Sequence, residues 1–288
     1  MYVSPMLLTK GNEPFNDQNY LSELKLDGIR LIYSNMDEPK LYTRHKTDVT
    51  GRFPEIINLN LPRGIILDGE LILPDENGKP DFEGLMSRFQ IRNRDKIKRL
   101  SQASPVTFCA FDIPYFKEES ICQLPLIERK GILNETIGDV DGQITNVKYL
   151  EGQGIPFFDV VKKQGLEGIV LKKKDSCYEL GKRTEAWIKI KHYQYGDVYI
   201  SGCRKKEFGW LISREDGRSA GILEIVPREA RQAAHSIAND IKTGEDSTYV
   251  YLKPLIKCRI KYLYETQKGF LREPSFMEFV GIKECIHF

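Results

Sequence analysis

Short apolar runs, several of them alternating with polar residues, recur along the chain and predict a protein built mainly of β-strands. In the first two thirds of the chain, this pattern predicts strands at residues 20–25, 29–33, 41–44, 64–67, 70–73, 106–113, 168–171 and 187–191. Helical spacing predicts helices at residues 82–100, 124–135 and 157–164. Asp27-Gly28 and Asp68-Gly69 are typical turn pairs between strands. Antiparallel strands with helices outside them indicate an α+β fold.

The pattern changes after Tyr193, where the polar and glycine-containing residues 194–197 interrupt it. Beyond this point, the sequence predicts a helix at residues 228–242 and strands at residues 198–203, 210–213, 220–226, 249–252 and 256–264. About five strands with one helix are typical of a small barrel such as an OB-fold. We therefore predict two domains, residues 1–193 and residues 194–288.

Composition adds little about partners. The 288 residues are 41% hydrophobic and 29% charged, with a net charge of only +2. These values are typical of globular proteins. Positive charge is concentrated locally, above all in residues 88–99, which include six lysines and arginines. A run of this kind is most often a solvated surface.

The six cysteines are widely spaced and include no C-x-x-C pair, which disfavours a zinc ribbon and favours reduced thiols. Residues 1–10 lack the apolar run of a signal peptide, and no apolar stretch approaches the roughly 20 residues that span a bilayer. These features predict a cytoplasmic protein without a membrane partner.

Five short motifs carry the chemistry: K-L-D-G-I-R at residues 25–30, L-D-G-E-L at 67–71, F-C-A-F-D at 108–112, E-G-I-V-L-K at 167–172 and W-I-K-I-K at 187–191. Each alone is weak, and the first reads equally well as a charged hairpin turn. In a strand, Lys189 and Lys191 share one face, opposite Ile188 and Ile190. Together the motifs supply an amine nucleophile, carboxylates for a divalent metal, an aromatic ring for stacking and cations for a triphosphate. Covalent activation of a nucleotide needs these parts.

In this order, the motifs resemble those of the covalent nucleotidyltransferase superfamily, specifically the ATP-dependent DNA ligases of the small bacterial or viral type. The resemblance covers nearly the whole chain and is most specific from Glu23 to Lys191. It implies an ATP-grasp-like nucleotidyltransferase (adenylation) domain of antiparallel sheets with flanking helices, followed by an all-β OB-fold. It also implies ATP as substrate, Mg²⁺ or Mn²⁺ as cofactor, nicked double-stranded DNA as partner, a monomeric enzyme, and roles in DNA replication, repair or recombination.

The resemblance further implies a role at the nucleotide for nine residues: Lys25 as the adenylated nucleophile, Glu23 at the adenine edge, Arg30 in the nucleophile motif, Arg44 at nucleotide and nick phosphates, Glu70 at ribose and metal, Phe111 stacked on adenine, Glu167 at the metal, and Lys189 and Lys191 at the α-phosphate. The segment 88–99 and the second domain are the candidates for contact with duplex DNA.

One departure concerns the C-terminal motif of the family. Residues 272–276, R-E-P-S-F, fit its first half. The arginines and the aspartate of its second half are missing from residues 277–284, where only Lys283 stands near a family cation. Because that half orients the pyrophosphate leaving group in the family, either other cations serve this chain or its first step is impaired. The intact motifs of the first domain favour other cations.

Four alternatives remain open at the level of sequence. An RNA ligase shares the lysine chemistry, and an mRNA capping guanylyltransferase would use GTP. An NAD-dependent ligase is disfavoured by the missing zinc cysteines and additional domains. An inactive nucleic-acid binding module agrees only with the incomplete C-terminal motif.

Overall fold

The computed structural model describes residues 1–138, 140, 142–266 and 268–282, which form two compact units, Met1–Lys191 and His192–Phe288. The strands of the first unit are β1 (Leu7–Lys10), β2 (Tyr20–Leu24), β3 (Ile29–Asn35), β4 (Lys40–Thr43), β5 (Ile65–Ile72), β6 (Thr107–Phe116), β7 (Glu119–Ser120), β8 (Ile144–Asn146), β9 (Tyr149–Glu151), β10 (Gly168–Lys173) and β11 (Arg183–Lys191). Its helices are α1 (Pro54–Ile57), α2 (Phe82–Phe89), α3 (Arg94–Ala103), α4 (Leu126–Ile137) and α5 (Gly154–Lys163).

The strands of the first unit form two mixed sheets. Sheet 1 has the order β1-β11-β10-β2-β9, and sheet 2 has the order β4-β3-β5-β6-β7, with β8 paired to β6. Most neighbours are antiparallel; β1 with β11 and β6 with β8 are parallel. The alternating apolar residues of sheet 2 bury the larger core, which includes the fully buried Tyr33, Leu67 and Phe108. The result is the mixed α and β architecture predicted from the pattern.

The expected turn at Asp68-Gly69 is wrong, because β5 continues through both residues. The Asp-Gly pair marks a bulge instead, since the pairing of β5 with β6 changes register between these two residues. A Cβ atom at Gly69 would lie 2.6 Å from the Phe108 ring. Glycine here therefore provides space against a neighbouring strand.

Asp27-Gly28 is also not a hairpin turn. Strand β2 belongs to sheet 1 and β3 to sheet 2, so residues 25–28 carry the chain from one sheet to the other. A Cβ atom at Gly28 would lie 2.2 Å from the carbonyl oxygen of Leu71. The glycine allows the two sheets to approach closely at the crossing.

The single helix expected at residues 82–100 is two helices, α2 and α3. The side chain of Asn93 accepts a hydrogen bond from the Lys96 amide at 2.9 Å and caps the start of α3. Within this basic segment, Arg88 is buried and its Nη1 lies 2.6 Å from Oε1 of Glu55. Arg88 is therefore unavailable for DNA, contrary to its inclusion in the candidate segment.

The second unit contains β12 (Gln194–Arg204), β13 (Trp210–Ser213), β14 (Ser219–Leu223), α6 (Arg228–Ala238), β15 (Lys242–Glu245), β16 (Tyr249–Tyr262) and β17 (Ser275–Ile282). The sheet order is β14-β13-β12-β16-β15, with β17 paired to β16. The two strands expected at residues 249–252 and 256–264 form one long strand, β16. Residues 194–197, which were expected to interrupt the strand pattern, are the start of β12. The helix expected to reach residue 242 ends at Ala238. The implied position of Lys283 lies outside the described residues.

No helix in the described part of the chain has the length and apolar character needed to span a bilayer. The five cysteines that the structure describes are free thiols, as the wide spacing predicted. Each apolar core cluster among the described residues lies within a single unit. The core cluster of the second unit includes Trp210 and Ile212 together with Ala230 and Ala234 of α6.

Candidate active site

Two adjoining cavities in the first unit, of about 690 Å³ and about 70 Å³, receive side chains from both sheets. Lys25, Arg30 and Glu70 line both of them. The larger cavity also receives Arg44 and Lys189, and the smaller one Glu23 and Phe111. The fold thus brings these seven of the nine implied residues to one place.

Lys25 is fixed by two contacts at the end of β2. Its amide donates a hydrogen bond to the carbonyl oxygen of Gly168 at 2.9 Å, which ties the crossing to β10. Its Nζ donates to Oε2 of Glu167 at 2.8 Å. The other oxygen of Glu167 lies 3.0 Å from Nζ of Lys191. The Glu167 side chain is only 3% exposed. Its buried carboxylate contacts both Lys25 and Lys191, so the two remaining implied residues, Glu167 and Lys191, also lie beside the candidate nucleophile.

Strand β11 presents its lysines on one face, as the alternation predicted. Ile190 on the opposite face is buried in a core cluster with Leu171. Trp187 shares the lysine face and is fully buried beside the smaller cavity. Its ring lines that cavity next to Phe111.

Arg30 is held rigidly by Asp68 on the neighbouring strand β5. Its guanidinium donates two hydrogen bonds to the carboxylate, at 2.9 and 2.6 Å, and the Tyr178 hydroxyl donates a third at 2.5 Å. Burial acts to lower the pKa of Arg30, but the charge and hydrogen bonds of Asp68 raise it above its ordinary value. Arg30 is thus a permanently charged group at the junction of the cavities.

Glu70 faces Lys25 and Arg30 from β5. Burial raises the pKa of Glu70 to about 8, and the charges of Lys25 and Arg30 offset this rise only in part. The described residues contain no group of three or more His, Cys, Asp or Glu side chains that could hold a metal. A divalent cation would nevertheless fit beside Glu70, because it would favour the ionised carboxylate that burial disfavours. At Glu167, a cation would compete with the two lysines.

The smaller cavity has an aromatic wall. The rings of Phe111 and Trp187 meet edge to face, with centroids 6.1 Å apart. Nζ of Lys172 lies 4.2 Å from the first ring centroid and 4.1 Å from the second. Burial lowers the pKa of Lys172 to about 8, although the nearby Glu23 carboxylate raises it. Lys172 thus makes cation–π contacts with both rings, and aromatic rings in a cavity wall suit the stacking of a flat heterocycle.

Glu23 lies at the centre of a buried ion cluster that the sequence analysis missed. Its carboxylate pairs with Nζ of Lys172 at 2.7 Å and with Nζ of Lys130 from α4. All three side chains are 2% exposed. Alternation along β10 could have identified Lys172, since it shares a face with the buried Val170. The sequence offers no comparable signal for Lys130.

Comparisons with known proteins identify the family of this chain. Residues 5–191 match the family described as ATP dependent DNA ligase domain. The SPbeta prophage-derived DNA ligase-like protein LigB of Bacillus subtilis is 43% identical over 277 residues, which cover 96% of this chain and 98% of LigB. The multifunctional non-homologous end joining protein LigD of Mycolicibacterium smegmatis is 29% identical, and the match covers 95% of this chain but only 38% of LigD.

Solved structures agree with this relationship. Mycobacterial DNA ligase D complexed with ATP and MES has a TM-score of 0.59 and 25% identity, with coverage of 98% of this chain and 96% of that structure. A Lig E DNA ligase has a TM-score of 0.68 at 20% identity, with coverage of 95% and 98%, and shows the same fold. On these matches, and with a lysine nucleophile candidate facing a cavity rich in cations, the chain belongs to the ATP-dependent DNA ligase family.

Proposed function

We propose that this chain is an ATP-dependent DNA ligase that seals nicks in duplex DNA through AMP carried covalently on Lys25. The observation that carries the proposal is the position of the Lys25 amine, which faces the two cavities and lies 2.8 Å from Glu167. Phe111 and Glu23 would hold the adenine in the smaller cavity. Lys189, Lys191 and Arg30 would neutralise the phosphates.

In the first step, Nζ of Lys25 attacks the α-phosphorus of ATP, a P–N bond forms and pyrophosphate leaves. An ammonium is not a nucleophile, so the protonated form of Lys25 must first transfer a proton and become the neutral amine that attacks. The nearest carboxylate oxygen, on Glu167, is the proposed acceptor. Lys191 on the other oxygen of Glu167 would move towards the developing charge of the phosphate.

A bound Mg²⁺ or Mn²⁺ would add positive charge at the phosphates, and Glu70 and Glu167 are its proposed ligands. Glu70 supports this assignment because it lines both cavities and burial raises its pKa to about 8. A nearby cation would stabilise the ionised form of this carboxylate, which burial disfavours.

In the later steps, an oxygen of the 5′-phosphate at a nick attacks the AMP phosphorus and releases Lys25. The 3′-hydroxyl then attacks the activated 5′-phosphate, the phosphodiester bond forms and AMP leaves. Arg44, exposed at the rim of the larger cavity, is the proposed contact to the nick phosphate. RNA ligase and guanylyltransferase activities are not favoured, because the family that residues 5–191 match is the ATP dependent DNA ligase domain.

For the whole chain, we propose an adenylation domain at residues 1–193 and an OB-fold at residues 194–288. The five-stranded path β14-β13-β12-β16-β15 with one helix supports the second assignment. We propose that the enzyme acts as a monomer. A role in DNA repair is supported by the end-joining names of the LigD relatives.

The test is covalent labelling with ATP radioactive at the α-phosphate, run beside labelled GTP and NAD. We expect labelling by ATP alone, loss of the label in Lys25→Ala, and full labelling in Lys162→Ala, an exposed lysine on α5. A labelled Lys25→Ala protein would show that another residue is the nucleophile. A sealing assay on all-DNA and all-RNA nicked duplexes then shows which nucleic acid the enzyme joins.

A further inference from the structure

The carboxylate of Glu23 turns one oxygen towards each of two lysines. Its Oε2 pairs with Nζ of Lys172 at 2.7 Å, and its Oε1 pairs with Nζ of Lys130. Lys172 lines the smaller cavity together with Glu23, whereas Lys130 is not among the described residues that line it. Oε1 itself is buried away from solvent. A ligand in the smaller cavity can therefore reach Glu23 only at Oε2.

The position of Lys130 is fixed by its helix. Arg129, the preceding residue of α4, donates a hydrogen bond to each oxygen of Asp112 on β6 at 2.8 Å, and both side chains are fully buried. Its Nη1 also donates to the carbonyl oxygen of Ser176 at 2.9 Å. Asp112 follows Phe111, so α4 is held against the strand that supplies the aromatic wall. Lys130 thus extends from a rigid support.

Lys172 holds the other oxygen of Glu23 in place. Its Nζ lies 4.2 Å from the ring centroid of Phe111 and 4.1 Å from that of Trp187, so the lysine is fixed by two rings as well as by the carboxylate. A rotation of the Glu23 carboxylate would break one of two buried ion pairs and leave a charge without a partner, which is strongly unfavourable. Glu23 therefore presents one oxygen to the cavity.

The number of accessible oxygens distinguishes the two purine bases. Adenine has one donor group on its pairing edge, the 6-amino group, which needs one acceptor. Guanine has two neighbouring donors, N1–H and the 2-amino group, which together match both oxygens of a carboxylate. Guanine also carries the O6 acceptor where adenine has its amino group. A carboxylate limited to Oε2 therefore accepts from adenine but leaves a donor of guanine unpaired in a buried site.

We propose that Lys130 determines the preference of the site for ATP over GTP by holding Oε1 of Glu23 away from the base. Lys130 is a positioning residue, because it acts through Glu23 and does not line the cavity. This inference rests on the proposed function and deepens it, since Lys130 lies outside the five sequence motifs and the nine residues that they imply.

The test measures covalent labelling of the full chain by ATP labelled at the α-phosphate, with unlabelled GTP as a competitor. The KM for ATP and the inhibition constant for GTP give the preference of each variant, even where GMP is not transferred. We expect Lys130→Met to reduce the preference for ATP at least about tenfold, since both oxygens of Glu23 can then turn to guanine. Lys162→Met, a change of an exposed lysine on α5, is the matched control.

A second background separates positioning from a general loss of structure. In Glu23→Gln, the further change Lys130→Met should alter the preference by less than about twofold, because the lysine acts only through the carboxylate. Urea unfolding verifies the fold of each variant. Lys130→Gln, which also removes the charge, should change the preference in the same direction and replaces Lys130→Met if the methionine variant does not fold.

Equal weakening of ATP and GTP in Lys130→Met would overturn the inference, since Lys130 would then serve structure alone. A change of preference of the same size in the Glu23→Gln background would overturn it as well. Failure of the wild type to take up AMP would refute the proposed function instead. The preference is then measured from the rise in melting temperature that ATP and GTP each cause, which requires no transfer.

Discussion

Glu167 determines the arrangement of the candidate site at the scale of single residues, because each of its oxygens contacts a different lysine. The resemblance of their motifs to those of the family pointed to Lys25, Glu167 and Lys191, and spacing within a strand predicted only that Lys189 and Lys191 share a face. The sequence could not predict that one carboxylate connects Lys25 and Lys191, because Glu167 and Lys25 are 142 residues apart along the chain.

Glu70 gives a prediction about pH. Its pKa is about 8 in the folded chain, against an ordinary value near 4.5. Between these values the folded state retains a proton that the unfolded state has lost, so this residue lowers the free energy of unfolding as pH rises towards 8. We expect Glu70→Gln to melt a few degrees higher than the wild type at pH 8.5 in EDTA, and at nearly the same temperature at pH 4.5.

Differential scanning fluorimetry with and without Mg²⁺ measures this effect. If Mg²⁺ binds beside Glu70, it should raise the melting temperature of the wild type at pH 8.5 and leave Glu70→Gln nearly unchanged. Glu76→Gln, an exposed carboxylate in the same unit, is the control. Equal pH dependence in the wild type and Glu70→Gln would contradict the assignment.

At the scale of elements, the crossing between β2 and β3 is the connection that joins the two halves of the site. Gly28 lies in this crossing, against the carbonyl oxygen of Leu71. Any side chain there must push β5 away from the crossing, and Glu70 lies on β5 next to Leu71. The shape of the site therefore depends on a residue that has no functional group.

We expect Gly28→Ala to lower the free energy of unfolding by roughly 1–3 kcal/mol, the usual range for overpacking, and to reduce AMP labelling by at least about tenfold. Urea unfolding and the labelling assay provide the measurements. Gly51→Ala is the matched control, since a Cβ atom there meets nothing within 4 Å. Wild-type behaviour of Gly28→Ala would show that the crossing can move without cost.

Two elements have a structure that differs from the prediction of their sequence patterns. Asp68-Gly69 has the composition of a turn, yet the surrounding apolar residues continue one strand, and pairing with β6 decides the outcome. The helix expected at residues 82–100 divides because Asn93 caps a new helix within this polar, charged segment. In both cases local composition predicted the wrong structure. Pairing with a distant strand determined the first, and a capping side chain determined the second.

At the scale of the whole molecule, the two compact units contain one tryptophan each, Trp187 in the first and Trp210 in the second. The fluorescence of Trp210→Phe comes from Trp187 and therefore reports on unfolding of the first unit. The fluorescence of Trp187→Phe comes from Trp210 and reports on the second unit. We expect saturating ATP to raise the unfolding midpoint only in Trp210→Phe, because all nine implied residues precede residue 192. At about 100 times its Kd, a ligand stabilises the state that binds it by about 2.7 kcal/mol.

Fluorescence during urea unfolding measures both midpoints, and AMP labelling of Trp187→Phe verifies that it still binds ATP. Equal shifts in both proteins would show that the units unfold together. The sequence predicted a domain boundary after residue 193 from residues 194–197, which belong to β12 in the structure. The compact units divide after Lys191. The pairing of distant strands into sheets leaves no local signal in the sequence.

The larger cavity has one further consequence, for inhibition. Counting only residues that the structure describes, its walls carry one carboxylate, Glu70, and seven lysine and arginine side chains: Lys25, Arg30, Arg44, Arg52, Arg92, Arg183 and Lys189. Such a surface attracts any flexible polyanion. Heparin or inorganic polyphosphate should therefore compete with the natural substrate at low ionic strength and inhibit less strongly as salt increases. The same positive surface should retain the protein on a heparin column, although its net charge is only +2.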